Sequence, residues 1–332
     1  MRCITLVLLM RCFSTTVLLF PIAVFAAKPN WNECTDKQNE TERLACFDRL
    51  TGQHYAQRSF LTRAWDLDGN GNPDSAGIRR LEPHRPNYVL IHHTSNISKL
   101  PTSPAPFHSV LTPYNYLSTE LKFQFSAKSE VGNFRDIDLL HFKNFRLWTA
   151  YTQQSFWQLF NGAESSPFRE TNYEPEIIGT FGTGNASGWK LLNLGLVHQS
   201  NGRPNPDSRS WNRLYLQGGW EWDDYYVLGR GWWRLPENIA KDDNPDITNY
   251  IGVADMEAHW SPDSEDEVML LLRSNMSWGQ PRGYVELNWS TPVHIAHLSR
   301  LSLQFSSGYG GSLIDYNHNQ TALGVGLTFK EW

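Results

Sequence analysis

The sequence predicts an all-β fold, a twelve-stranded antiparallel transmembrane β-barrel with a short N-terminal periplasmic segment, on three observations. From residue 87 onward the chain divides into strand-length stretches bounded by clusters of Gly, Pro, Asn and Asp. Within them residues alternate so that one face is aliphatic and the other polar or charged, the pattern of strands with lipid outside and a polar lumen inside. After the first 26 residues no run of about 18 apolar residues occurs, which excludes transmembrane helices.

The elements follow in order. Met1 and Arg2 precede an apolar stretch, a second one runs from Val17 to Phe25, and Val24, Phe25 and Ala26 form a cleavage pattern, so residues 1–26 read as a signal peptide. Arg11 interrupts the apolar core, which makes Met10 an alternative start. Residues 27–86 form the polar N-terminal segment. Cys3 and Cys12 leave with the leader, and an oxidising compartment favours a Cys34–Cys46 disulfide over two buried thiols. The run from Asp66 to Gly71 opens like a calcium loop, but Gly77 stands where its twelfth-position Glu belongs, so it reads as a turn-rich linker without a site.

The barrel occupies residues 87–332, with strands expected at 87–94, 117–129, 144–158, 176–184, 188–200, 211–222, 224–234, 247–260, 266–278, 281–290, 298–309 and 320–330. An even number of strands closes with both ends on the periplasmic side. In the last strand Leu323, Val325, Leu327 and Phe329 alternate with small residues, and the chain ends on an aromatic, Trp332, out of phase with them. Arg213, Glu221, Glu257, Arg273 and Glu286 are candidates to point inward and fill a narrow bore, which argues against a general porin. Trp220, Trp222, Trp232, Trp233 and Trp260 are expected at the membrane interfaces. A formal net charge of −5 offers no basic patch for nucleic acid.

One polar cluster breaks the pattern. His198 and Ser200, two residues apart on a strand, project from one face, where an imidazole can take the proton of a hydroxyl. Leu192, Leu194 and Leu196 share that face, whereas Asn193, Gly195 and Gln199 lie on the other, with Val197 the apolar exception. A symmetric antiparallel return through residues 201–210 places Asn212 opposite His198, in phase with Leu214, Leu216, Trp220 and Trp222. A nucleophile, a base and an amide therefore meet on the lipid-facing side, where polar groups are costly and point to function.

The string HQSNGRPNPDSRSWNR over residues 198–213 resembles the active-site segment of the outer membrane phospholipase A family. Supporting stretches are YTQ at 151–153, SSPFRETNYEP at 165–175, DDNPDITNYIG at 242–252 and SGYGGSLIDYN at 307–317. The match spans roughly residues 145–332, more loosely from 87, and leaves out the cysteine segment.

The resemblance implies calcium-dependent hydrolysis of acyl esters in glycerophospholipids and lysophospholipids at the Gram-negative outer membrane, covering phospholipase A1 and A2 activities. Ser200 would be the nucleophile, His198 the general base and acid, and Asn212 the group that orients His198. It also places the Gly202 amide at the oxyanion, and calcium at Arg203 and Ser208, with Ser165 contributed by a second subunit. Gln153 would pair across the interface of an active homodimer. On parity alone Gln153 faces either the bilayer, with Leu147, Thr149 and Tyr151, or the polar bore. Pro204 and Asp207 alter the loop's stiffness and charge relative to the family pattern, and residues 95–116 form a long connection without an inferred role. Two other readings are a catalytically silent barrel acting as a channel or adhesin, and a soluble periplasmic serine esterase. The latter requires an apolar interior.

Overall fold

The computed structural model describes residues 32–35, 43, 46, 59–68, 81–139, 142–185, 188–262, 266–293 and 299–329. The predicted leader, residues 69–80 of the linker and Trp332 lie outside them. The chain divides into two compact units, Met1–Gln57 and Arg58–Trp332. In the first, a short helix α1 (Asn32–Thr35) carries Cys34, which is disulfide-bonded to Cys46.

The second unit begins with α2 (Phe60–Ala64) and a short strand β1 (Leu81–Pro83). Twelve strands follow: β2 (Asn87–Thr94), β3 (Thr119–Leu139), β4 (Phe142–Trp157), β5 (Phe168–Gly182), β6 (Gly188–Ser200) and β7 (Ser210–Glu221). The remainder are β8 (Tyr225–Arg234), β9 (Ala254–Trp260), β10 (Glu267–Ser274), β11 (Gly283–Pro292), β12 (Ser299–Gly308) and β13 (Gln320–Phe329). Each pairs antiparallel with its sequence neighbours, and β13 pairs with β2, which closes the barrel without an edge. The expected strand at 247–260 begins only at Ala254, because Ile247–Asn249 forms a 3-10 turn whose Ile247 packs inward. The compact unit also starts earlier than residue 87. Glu221 accepts the Phe60 and Leu61 amides at the start of α2, Phe60 stacks on Tyr226, and β1 pairs with β3.

Alternation decides inside from outside. Along β6, Leu194, Leu196 and His198 are exposed, whereas Asn193, Gly195 and Val197 are buried. The interior is charged and cross-linked: Arg169 bridges Glu120 and Asp315, Arg85 bridges Glu174 and Glu176, Arg230 pairs with Asp255, and Lys122 with Glu286. Arg213, Glu221 and Glu286 are buried in the bore as expected, while Glu257 and Arg273 are partly buried there, bonded to His259 and to the Gly310 carbonyl. The outer face carries Leu214, Leu216, Leu301, Leu303, Leu323, Val325 and Leu327. Polar inside and aliphatic outside is the arrangement of a membrane barrel, opposite to that of a soluble esterase.

One expected interfacial anchor is corrected. Trp232 is only 5% exposed and points into the bore, donating to the Gly252 carbonyl with the Arg213 and Arg230 guanidiniums over its ring. It shares parity with Arg230 and Arg234, which face inward. Trp220, Trp222, Trp233 and Trp260 are exposed.

Candidate active site

The candidate site lies at the barrel end from which β6 and β7 are joined by the loop 201–209. The β6–β7 register pairs His198 with Asn212 and Ser200 with Ser210, as the symmetric return predicts. His198 Nδ1 lies 2.9 Å from Asn212 Oδ1. An amide oxygen only accepts, so Nδ1 is the donor in this contact, the arrangement that leaves Nε2 as the acceptor of a neutral ring. Ser200 projects from the same face two residues on, with no hydrogen bond to His198 among the described residues. Such contacts commonly tighten only with substrate in place.

Behind this outer face the same strands are firmly packed. Gln199 Oε1 accepts from Trp211 Nε1 at 2.8 Å and from Arg213 Nη2 at 3.3 Å, and the Arg213 guanidinium stacks on the Trp211 ring at 4.2 Å. Tyr215 crosses β6 at Gly195, where a Cβ would stand 2.1 Å from the ring, and its hydroxyl donates to Glu176 at 3.0 Å. A side chain at position 195 would displace the tyrosine from beneath the strand that carries His198.

The loop 201–209 is held by Asn201, which sequence reasoning did not single out. Its Oδ1 accepts from the Arg203 and Arg209 amides at 3.3 and 3.0 Å, and its Nδ2 donates to the Asp207 carbonyl at 2.7 Å and to Glu170 at 3.3 Å. The Asn–Gly pair was a visible turn signal, but partners eight residues on are not readable from it. Gly202 follows with φ +64°, a left-handed conformation, and its missing Cβ leaves room for the Tyr173 ring, 3.2 Å from where that atom would be. The Gly202 amide thus belongs to a braced turn immediately after Ser200.

The three expected cation ligands are placed differently from one another. Arg203 and Ser208 share this loop, with the Arg203 guanidinium bonded to Asp207 and to the Phe168 carbonyl. The Ser208 hydroxyl donates to Asp243 Oδ2 at 2.7 Å, an oxygen that also accepts from Ser210 at 3.1 Å. The Ser208 carbonyl already accepts from Arg209 at 2.7 Å. Ser165 ends a 3-10 turn between β4 and β5 in a left-handed conformation and makes no hydrogen bond to the 201–209 loop among the described residues. One chain therefore does not link all three by direct hydrogen bonds.

Two neighbouring loops close over this one. From the 95–118 connection, Ser103 donates to the Asp243 carbonyl at 2.6 Å, His108 Nε2 is 3.0 Å from Asp243 Oδ1, and Tyr114 donates to Asp207 at 2.8 Å. Burial, and then the bond to Asp207, push the Tyr114 hydroxyl above its ordinary pKa. The long connection thus has a structural task, clamping the 201–209 and 235–253 loops together. From the second loop comes Glu237, also missed: Asn212 Nδ2 donates to its Oε1 at 3.3 Å. Burial raises the Glu237 carboxyl above the usual range.

Gln153 faces outward. It shares the face of exposed Tyr151, to which it is bonded at 3.0 Å, whereas Thr152 and Gln154 bond inward to Ser126 and Tyr88.

A sequence model of the phospholipase A1 family matches residues 61–329. Phospholipase A1 of Salmonella typhimurium is 38% identical over 265 residues, covering 76% of this chain and 82% of that protein. Outer membrane phospholipase A from Escherichia coli superposes with a TM-score of 0.63 at 36% identity, over 75% of this chain and 98% of that one. The Salmonella typhi outer membrane phospholipase, solved as a dimer with bound calcium, gives a TM-score of 0.64 at 36% identity, over 79% and 94%. This chain belongs to the phospholipase A1 family.

Proposed function

We propose that this protein is a calcium-dependent outer-membrane phospholipase that hydrolyses acyl esters of glycerophospholipids with Ser200, His198 and Asn212, and that it works as a homodimer. The observation that carries the reading is the 2.9 Å contact between His198 Nδ1 and Asn212 Oδ1 on the lipid-facing side of β6 and β7, with Ser200 two residues away. A lipid in the outer leaflet meets that face directly, so its ester needs no passage into the filled bore.

In the reaction, Ser200 Oγ attacks the acyl carbonyl while His198 Nε2 takes its proton. Asn212 Oδ1 accepts from Nδ1–H and holds the ring in the tautomer that leaves Nε2 free. The Gly202 N–H, presented by the left-handed turn, stabilises the oxyanion. Collapse expels the lysophospholipid oxygen, protonated by His198, and leaves an acyl-enzyme. Water activated by His198 then releases the fatty acid and restores Ser200.

The loop suits a hard cation. Its available donors are the Arg203 carbonyl, the Ser208 hydroxyl and the second lone pair of the Ser208 carbonyl, with a buried Asp207 Oδ1 that has no hydrogen-bond partner. Arg203 and Ser208 would hold calcium with Ser165 of the partner subunit, and the ion would add positive potential beside the oxyanion. The outward Gln153, costly to expose to lipid, would pair across the dimer. The N-terminal segment would lie in the periplasm.

The test is release of fatty acid from phospholipid in detergent micelles by wild type and Ser200→Ala, each with calcium and with chelator. Activity that requires both supports the reading. Activity that survives Ser200→Ala refutes Ser200 as the nucleophile, and none under any condition leaves a catalytically silent barrel.

A further inference from the structure

Asparagine in place of the aspartate of a hydrolase triad creates a problem of orientation. A carboxylate presents an acceptor whichever way it turns, but an amide rotated by half a turn presents Nδ2 to His198 instead of Oδ1. The imidazole would then carry its proton on Nε2, the nitrogen that must receive the Ser200 proton. Something must hold the amide in one sense. We infer that Glu237 is the positioning residue that does this, by accepting from Asn212 Nδ2 and so fixing Oδ1 toward His198.

The backbone delivers Glu237 to this place. Leu235 N–H donates to the Asn212 carbonyl at 2.8 Å, which extends the β7–β8 ladder one step beyond the Arg213–Arg234 pair. Pro236 then restricts the chain at the next residue. On the far side the Asn238 side chain accepts from the Ala240 amide at 3.0 Å, and Lys241 N–H bonds the Asn238 carbonyl at 2.7 Å, closing a turn. Glu237 is therefore held from both directions. Its carboxylate can only accept while ionised, so it selects the amino end of Asn212 and not the oxygen. The charged groups around it are Arg234, Asp242 and Asp243, with His198 beyond the amide.

This inference rests on the hydrolase reading, and the experiment separates the two. In mixed micelles with calcium, Glu237→Ala is expected to lower kcat about tenfold with KM unchanged, the loss expected for one charge-assisted hydrogen bond at a half-exposed site. Glu237→Gln, which keeps an acceptor, should recover most of the rate. In an Asn212→Asp background, where either oxygen serves His198, Glu237→Ala should cost nothing or raise the rate by removing a second carboxylate. The rate at which a sulfonyl fluoride labels the Ser200 hydroxyl should follow the same order, and it remains measurable in variants too slow for turnover. A Glu237→Ala enzyme with unchanged kcat, a loss equal in both backgrounds, or a change confined to KM overturns the positioning role. Absence of hydrolysis and labelling by wild type overturns the hydrolase reading itself.

Discussion

Asn201 connects the fold to the chemistry, and its removal has a calculable effect. It is 4% exposed and holds the 201–209 loop through four hydrogen bonds. Asn201→Ala would leave the Arg203 and Arg209 amides and the Asp207 carbonyl without these partners. Each buried group so stranded costs about 1–3 kcal/mol, and the long bond from Arg203 counts least. With water relieving part of this, about 3 kcal/mol is lost from the closed loop. At roughly 1.4 kcal/mol for each factor of ten, the population presenting the Gly202 amide falls by up to about a hundredfold. The cost is local, because β6 and β7 are zipped independently by their own ladder from Gly188 to Ser200. The assay pairs fatty-acid release with urea unfolding followed by tryptophan fluorescence. Activity should fall between ten- and a hundredfold while the unfolding midpoint stays within error. Activity within twofold of wild type, or a midpoint that drops in parallel, refutes a local role for this side chain.

Trp232 and Trp233 make a matched pair: Trp232→Ala empties a packed interior site and should cost about 3–5 kcal/mol in urea unfolding, whereas lipid-facing Trp233→Ala should cost far less. Glu237 gives a pH signature. Its folded carboxyl is held up by burial, so its contribution is fully present below the unfolded value of about 4.3 and is lost as pH rises through the raised folded value. Unfolding midpoints should therefore show Glu237→Gln gaining on wild type as pH rises from about 4.3 through the raised folded value; a constant difference would contradict the shift. Gln153→Ala should move sedimentation in detergent with calcium toward monomer without changing the unfolding midpoint, and an unaltered dimer would exclude that side chain from the interface. Phe60→Ala should weaken the docking of α2 near Glu221 and Tyr226 and make the N-terminal segment more susceptible to protease, with little effect on hydrolysis.

Much of this protein was legible in its sequence because a strand's period of two ties each residue to a face. The alternation around Leu194, Leu196 and His198 placed the polar cluster on the outer face, and the pairing of His198 with Asn212 followed from a symmetric hairpin. Strand limits at 87–94 and 188–200 coincide with β2 and β6 because turn residues bound them sharply. Trp232 was misplaced where that logic was set aside: its aromatic character suggested an interface although its parity with Arg230 pointed inward.

By itself, then, the sequence determined what local periodicity encodes: an all-β barrel, its inner and outer faces, and a Ser, a His and an Asn brought to one lipid-facing surface. Only the tertiary structure decided what holds the loops, within each and between them. Asn201 gripping Arg209, the 95–118 connection meeting Asp243 and Asp207, and Glu237 reaching Asn212 depend on contacts between segments whose separation in sequence carries no period. Strand faces follow from backbone geometry residue by residue, whereas loop contacts are chosen by which buried polar groups must find partners once the barrel has closed.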